Sequence, residues 1–197
     1  MSTFFTSDLH FGHANIIEYC RRPFTSVDRM NAGLIERWNS VVGTGDDVWV
    51  LGDVCMGHID DSLAYVEQLH GTKRLIVGNH DRMFKESRRE EWEDRYRAAG
   101  FVDIIHGQHT LATPDGDLLL CHFPYQGDSG STERFADQRP TDRGLPLLHG
   151  HVHGRWRKNG RMVDVGADAW GGYPVRLDDI MELPAKPDAF LATLNWD

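Results

Sequence analysis

Residues 3–10 read Thr-Phe-Phe-Thr-Ser-Asp-Leu-His, a short apolar run that leads into a carboxylate and an imidazole. A run of this length predicts a buried strand over residues 3–7 that ends at Asp8. The arrangement recurs at residues 47–51, which are followed by Gly-Asp, and at residues 73–77, which are followed by Gly-Asn-His-Asp. The first half of the chain is therefore predicted to contain several strands, each ending in polar residues.

Helices are predicted between these strands. Residues 14–21 and 28–41 have helical patterns, and Asp28 could serve as the N-cap of the second helix. A third helix is predicted from residue 60 or 61 to residue 69, with a partly apolar face. Residues 85–99 are highly charged, which is more typical of the solvated face of an exposed helix than of a binding site.

The second half of the chain has a different pattern, with closely spaced strands. Residues 114–117 read Pro-Asp-Gly-Asp and predict a turn. Residues 127–144 are rich in Gly, Ser, Asp and Arg and predict a long loop with one helical turn, and loops of this length are often functional or mobile. Strands are predicted over residues 118–121, 146–149, 161–165 and 180–183.

These patterns predict one α/β domain over residues 1–197. Strand–helix–strand units followed by hairpins favour two packed mixed β-sheets flanked by helices. Ligands of open α/β sheets bind at the carboxyl ends of the strands. Because the polar motifs follow the strands, we expect them to form the functional site.

Composition restricts the classes of function. The chain has 197 residues and a net charge of −9, which opposes binding to polymeric nucleic acid or to an anionic membrane. Bound metal ions would still make one region locally positive, so a phosphate substrate is compatible with an acidic protein. We find no apolar run long enough for a membrane span and no signal peptide pattern. Three cysteines without CxxC spacing suit a reducing cytoplasm.

Five short segments carry residues with metal-binding chemistry, and each follows an apolar strand. Alternation along the chain directs both ends of a D-x-H or H-x-H motif to one side. Each motif alone is weak, since Gly-Asn-His-Asp by itself would first be read as a turn. Together they predict a shared metal centre, and scattered structural histidines are the alternative. The candidate ligands are Asp8, His10, Asp53, Asn79, His122, His151 and His153.

The order D-x-H, G-D, G-N-H-D, H, G-H-x-H resembles the calcineurin-like metallophosphoesterase superfamily over positions 8–153. Residues 8–13 and the Arg-Pro-Phe at 22–24 are also similar to small phage and bacterial members. The resemblance implies a four-layer α-β-β-α sandwich with two divalent metal ions. In that assignment Asp8, His10, Asp53 and His153 hold one ion, and Asp53, Asn79, His122 and His151 hold the other.

The resemblance also implies a mechanism, in which a hydroxide bridging the metals attacks a phosphate ester and Asp53 bridges the ions. His80 would protonate the leaving oxygen or stabilise the phosphoryl charge. Asp81 would hydrogen-bond to His80 and raise its pKa. Mixed carboxylate, amide and imidazole ligation suits Mn first, with Fe, Zn, Ni or Co as alternatives.

Within this class we expect a phosphodiesterase acting on small or cyclic nucleotide substrates, and a phosphomonoesterase stays open. A non-catalytic protein-binding scaffold is the competing class, but the seven ligands and His80 are all present, which favours an enzyme. His13 could contact the substrate phosphate or could cap a helix. Arg22 and Arg82 could reach an anionic substrate, although salt-bridged or solvated roles are more typical. We expect His149 and Cys121 to be structural.

Overall fold

Two five-stranded β-sheets pack together in the computed structural model, which describes residues 1–130, 132–183 and 196. In the first sheet, four adjacent strands are parallel and a short antiparallel strand forms one edge. In the second sheet, three adjacent parallel strands have an antiparallel strand on each side. The first sheet contains, in spatial order, β10 (Val175–Arg176), β1 (Thr3–Thr6), β2 (Asp47–Val50), β3 (Thr72–Ile76) and β4 (Phe101–Ile105). The second contains β5 (Gln108–Thr113), β6 (Gly116–Cys121), β7 (Leu147–His149), β9 (Met162–Asp164) and β8 (Lys158–Asn159).

Alternating strand residues divide between the two faces of each sheet, as period-2 geometry requires. In β6, Leu118 and Leu120 pack in the core between the sheets, whereas Leu119 and Cys121 pack in a separate cluster with residues of the following loop. The prediction that Cys121 is a core residue is confirmed, since its side chain is buried.

Four helices cover the other face of the first sheet. The second helix contributes Leu34 and Trp38 to a core that also contains Val48 and Val50 of β2. No helix in the described part of the chain is long and apolar enough to cross a membrane. The predicted α/β fold with two packed mixed sheets flanked by helices is therefore confirmed. The helices are α1 (Ile16–Tyr19), α2 (Val27–Val41), α3 (Ile59–Leu63), α4 (Arg89–Ala98) and α5 (Leu177–Met181), the last of which contacts β1 and β10.

The predicted helix boundaries need correction, since the helix predicted over residues 14–21 spans only Ile16–Tyr19 and the one predicted over residues 85–99 spans Arg89–Ala98. Ser26, rather than Asp28, caps α2, because its backbone is extended and its side chain accepts a hydrogen bond from the Arg29 amide. Asp28 lies in the first turn, where its charge favours the helix dipole. The helix predicted to reach residue 69 ends at Leu63, and a 3₁₀ turn follows at Val66–Gln68.

The predicted strand over residues 180–183 is also wrong. Residues Leu177–Met181 form α5, and Asp178 and Asp179 in its first turn stabilise the positive end of the helix dipole. Leu177 and Ile180, three residues apart, both pack against the core between the sheets. The strand of this region is β10, two residues long, which pairs antiparallel with β1.

Candidate metal centre

The predicted ligands follow the carboxyl ends of five strands, and the topology brings these ends together. Strands β1, β2 and β3 are adjacent and parallel, as are β6 and β7. The two sheets meet where the His151 amide donates to Asp8 Oδ2 at 3.0 Å. The ligands so placed are Asp8 and His10 after β1, Asp53 after β2, Asn79 after β3, His122 after β6, and His151 and His153 after β7.

Most of the predicted ligands have a strained backbone. Five of the seven lie in the left-handed region, which non-glycine residues rarely adopt. Each such residue costs on the order of 1–3 kcal/mol and persists only where the surrounding structure enforces it, typically at functional sites. Among the described residues, five of the seven non-glycine residues with positive φ are thus predicted ligands. The φ angles are 56° at Asp8, 53° at His10, 56° at Asp53, 71° at His151 and 54° at His153.

Glycines precede Asp53, Asn79 and His151, and they permit the crowded backbone. A Cβ at Gly150 would lie 2.4 Å from Asp8 Oδ2, and a Cβ at Gly78 would lie within 2.3 Å of Asp53 Oδ1. Both distances are shorter than real contacts allow. Glycine is therefore required for the close approach of these segments to the buried carboxylates.

One group of ligand atoms surrounds His10. Its Nε2 lies 3.9 Å from Asp8 Oδ1 and 3.8 Å from Asp53 Oδ2, and its ring stacks on that of His153 with centroids 5.4 Å apart. Ligand atoms that are each about 2.1 Å from one ion lie no more than about 4.2 Å apart. Among the described residues, buried Asp8 Oδ1 and His10 Nε2 have no hydrogen-bond partner. A cation bound there would satisfy both atoms.

A second group surrounds Asn79. Its Oδ1 lies 3.1 Å from His122 Nε2 and 3.0 Å from His151 Nδ1, and Asp53 Oδ2 lies 3.5 Å from His122 Nε2. The Nδ1 of His122 lies 2.7 Å from the Leu51 carbonyl oxygen, which can only accept, so Nδ1 carries the proton. Burial alone would lower the pKa of His122, but the carboxylates of Asp53 and Asp8 raise it, so Nε2 also attracts a proton where it faces the oxygens of Asn79 and Asp53. A cation that replaced this proton would join the same three atoms.

The protonation chemistry of two of the histidines fits metal binding, whereas a hydrogen bond to a buried carboxylate raises the pKa of His153 well above its ordinary value despite burial. Burial lowers the pKa of His10 well below its ordinary value, and burial together with the charge on His122 lowers that of His151 to about 4. Both rings are therefore neutral at pH 7, as ligands must be. Burial, with a further contribution from Asp8, raises the pKa of Asp53 to about 7 despite the opposing charge of His122. The described histidines and aspartates thus form groups able to hold metal ions.

His80 lies at the rim of these groups. Its amide donates to Asp53 Oδ1 at 2.8 Å, and its ring centroid lies 5.4 Å from that of His10. His13, the predicted substrate contact, is half-buried with its ring 5.7 Å from that of His10. Both side chains therefore lie beside the candidate metal centre.

The prediction that Asp81 hydrogen-bonds to His80 is wrong. The buried Asp81 carboxylate instead accepts from the amides of Gly78, Asp53 and Val54. It also accepts from the Tyr96 hydroxyl, so it organises the backbone at the strand ends. The pKa of His80 is lowered rather than raised, first by loss of hydration and then by the charge on His122.

The buried Asp168, which belongs to none of the sequence motifs, contacts one of the predicted ligands. Its Oδ2 lies 2.9 Å from His153 Nδ1 and so fixes the orientation of a ring whose ligand atom lies within 4.8 Å of those of Asp8 and His10. Asp168 also forms two hydrogen bonds with the buried Arg22 guanidinium, which in turn donates to the Asp8 carbonyl. Burial alone would raise the pKa of Asp168, but Arg22 and His153 hold it well below its ordinary value.

We expect Arg22→Met to lower the free energy of unfolding by about 3–5 kcal/mol, because it leaves a buried carboxylate without its partner. Denaturant unfolding followed by circular dichroism measures this change. The matched control is Arg161→Met, whose pair with Asp142 is about half exposed and contributes roughly 1 kcal/mol or less. Equal effects of the two substitutions would contradict the role given to Arg22.

Asp128, in the long loop after β6, is a second residue that the motifs did not reveal. Its Oδ2 lies 3.3 Å from His151 Nε2, and the buried carboxylate forms ion pairs with Arg134 and Arg139. Nothing in the loop composition marks this aspartate among its polar neighbours. His149 is structural as predicted, since it is buried and its Nε2 accepts from Trp156 Nε1.

The fold and the site define a two-sheet α/β protein with a candidate centre for metal ions. The Gene 66 protein of Mycobacterium phage D29 is 38% identical over 199 aligned residues, which cover 92% of this chain and 95% of that protein. The Gene 66 protein of Mycobacterium phage L5 is 35% identical and covers 92% and 93%. The chain therefore belongs to the family of these mycobacteriophage Gene 66 proteins.

The fold is also found in a solved structure. The protein of unknown function AQ665 from Aquifex aeolicus has a TM-score of 0.71 and 25% sequence identity, with 93% of this chain and 99% of that chain covered. No protein-family model matches the chain.

Proposed function

We propose that this protein is a metal-dependent phosphoesterase that hydrolyses small phosphodiesters, with nucleotide-type diesters as the first candidates. The observation that carries the proposal is the convergence of the predicted ligands. Ligand atoms of six of them face one another across 3.0–3.9 Å, and the ring of the seventh, His153, stacks on that of His10. The motif order shared with calcineurin-like metallophosphoesterases supports the reaction class. A phosphomonoesterase of the same chemistry is the alternative.

In this proposal, Asp8, His10, Asp53 and His153 hold one divalent ion, and Asp53, Asn79, His122 and His151 hold the other. When bound, two such ions activate water as a nucleophile and offset charge on the phosphoryl group. The oxygen and nitrogen donors suit Mn, with Fe, Zn, Ni or Co as alternatives. The three buried cysteines have free thiols, in keeping with the reducing cytoplasm that we propose as the compartment.

In this proposal, His80 and His13 are the side chains that act on the substrate directly and not through a metal ion. His80, at the rim beside Asp53 and His10, would donate a hydrogen bond to a phosphoryl oxygen or a proton to the leaving oxygen. Asp81 acts indirectly, since it holds the amides of Gly78 and Asp53 in place. The half-buried His13 provides a further hydrogen-bond donor to the substrate phosphate.

We expect the purified protein to cleave bis(4-nitrophenyl) phosphate with Mn²⁺, to lose this activity in EDTA, and to regain it when Mn²⁺ is returned. Release of 4-nitrophenolate measures the reaction, and 4-nitrophenyl phosphate as substrate separates diesterase from monoesterase activity. Absence of turnover with Mn, Fe, Zn, Ni and Co over a broad ester panel would reject the enzyme and favour a protein-binding scaffold.

A further inference from the structure

A cleft of about 210 Å³ opens beside Asn79 and His80, at the rim of the candidate metal centre. Its lining includes the side chains of Arg82, Lys85 and Arg88. The whole chain has a formal charge of −9, whereas the lining of this cleft contains three cationic side chains. Such a local concentration favours an anionic ligand.

The positive charge of the cleft is not neutralised by neighbouring carboxylates. Among residues 1–130, 132–183 and 196, neither Lys85 nor Arg88 forms an ion pair. Glu86, which lies between them in sequence, is instead 4.0 Å from Arg89. The one acid in the lining, Asp81, is buried and accepts hydrogen bonds from three backbone amides and a tyrosine hydroxyl. The cleft therefore has cationic charge available for a ligand.

Two of the cations lie near one aromatic ring, which the guanidinium of Arg95 approaches more closely, at 4.5 Å. The guanidinium carbons of Arg82 and Arg88 lie 6.0 and 5.8 Å from the ring centroid of Trp92, which is buried in α4. Arg82 also approaches the Gly57 carbonyl oxygen at 3.4 Å. Contacts of this kind limit the freedom of long side chains, so less entropy is lost when they bind a ligand.

We propose that this cleft binds a second phosphate group of the substrate, so that the preferred substrate is a phosphoester that also carries a phosphomonoester. The inference rests on the proposed function, because Asn79 and His80 belong both to the cleft and to the site of hydrolysis. Guanidinium groups match phosphate oxygens in a bidentate manner, and lysine adds a compact charge. The cleft thereby selects for the part of the substrate that is not cleaved.

The test compares two chromogenic diesters, thymidine 5′-(4-nitrophenyl phosphate) and the same compound with a 3′-phosphate. We expect the 3′-phosphate to lower KM roughly tenfold in the wild-type protein, as a charge-assisted contact would. In the Lys85→Ala/Arg88→Ala variant, the two KM values should become nearly equal. The matched control is Arg97→Ala, which removes an α4 cation that pairs with Glu93 and does not line the cleft. It should keep the wild-type preference.

Calorimetric binding of thymidine 3′,5′-bisphosphate and thymidine 5′-monophosphate to the Mn²⁺-loaded protein gives the same comparison without turnover. No wild-type preference for the extra phosphate, or a preference retained in the double variant, would overturn the assignment of the cleft. Binding that depends on Lys85 and Arg88 without cleavage of either diester would instead reject the proposed hydrolysis while supporting the cleft.

Discussion

Replacing Asp53 with asparagine is expected to lower turnover of bis(4-nitrophenyl) phosphate by about 1000-fold, equivalent to several kcal/mol of lost charge stabilisation. One oxygen, Oδ2, lies 3.8 Å from His10 Nε2 and 3.5 Å from His122 Nε2, so it belongs to both groups of ligands. A neutral amide cannot offset the charge of two cations. We therefore also expect the variant to bind at most one divalent ion per chain, measured by elemental analysis after gel filtration.

The Asp53→Asn substitution removes the negative charge of the side chain and changes its shape very little. Asparagine keeps an oxygen that can accept from the His80 amide, as Asp53 Oδ1 does at 2.8 Å. Asp142→Asn, a partly exposed carboxylate paired with Arg161, is the matched control and should bind metal like the wild type. Two ions bound to Asp53→Asn with unchanged affinity would show that this carboxylate does not join the two groups.

Replacing His80 with alanine is expected to lower turnover by about 10²–10⁴-fold, the usual contribution of a positioned acid or base. The metal content should stay unchanged, because His80 is not one of the ligands and its link to Asp53 is made by the backbone amide. Parallel measurement of turnover and bound metal separates a role toward substrate from a role in metal binding.

His106→Ala is the matched control for this substitution. His106 is paired with Glu93 at 2.7 Å and its side chain is about a quarter exposed, so its loss should leave turnover as in the wild type. If His80→Ala loses metal together with activity, the role of His80 toward the substrate is refuted. If it keeps full activity, another group protonates the leaving oxygen.

The fold class and the ligand positions could be predicted from the sequence because both depend on local pattern. Apolar runs of strand length were followed by Asp8, Asp53, Asn79, His122 and His151, and parallel strands place their carboxyl ends at the same edge of a sheet. Each of these signals lies within a few neighbouring residues.

Local sequence pattern gave wrong predictions where the same residues are compatible with two different local structures. Residues 177–183 combine apolar and acidic side chains and could form either a strand or a short helix. The packing of Leu177 and Ile180 against the core between the sheets decides for the helix. Similarly, adjacency suggested a bond between Asp81 and His80, but the strand-end amides of Gly78 and Asp53 compete for the same carboxylate.

The sequence by itself therefore determined the class of fold and the set of candidate ligands. Only the tertiary structure decided which buried groups support them, namely Asp168 behind His153 and Asp128 beside His151. Arg22 and Asp168 are 146 positions apart. No periodicity spans such a separation, because these partners meet only when the two sheets pack and their charges must be paired away from water.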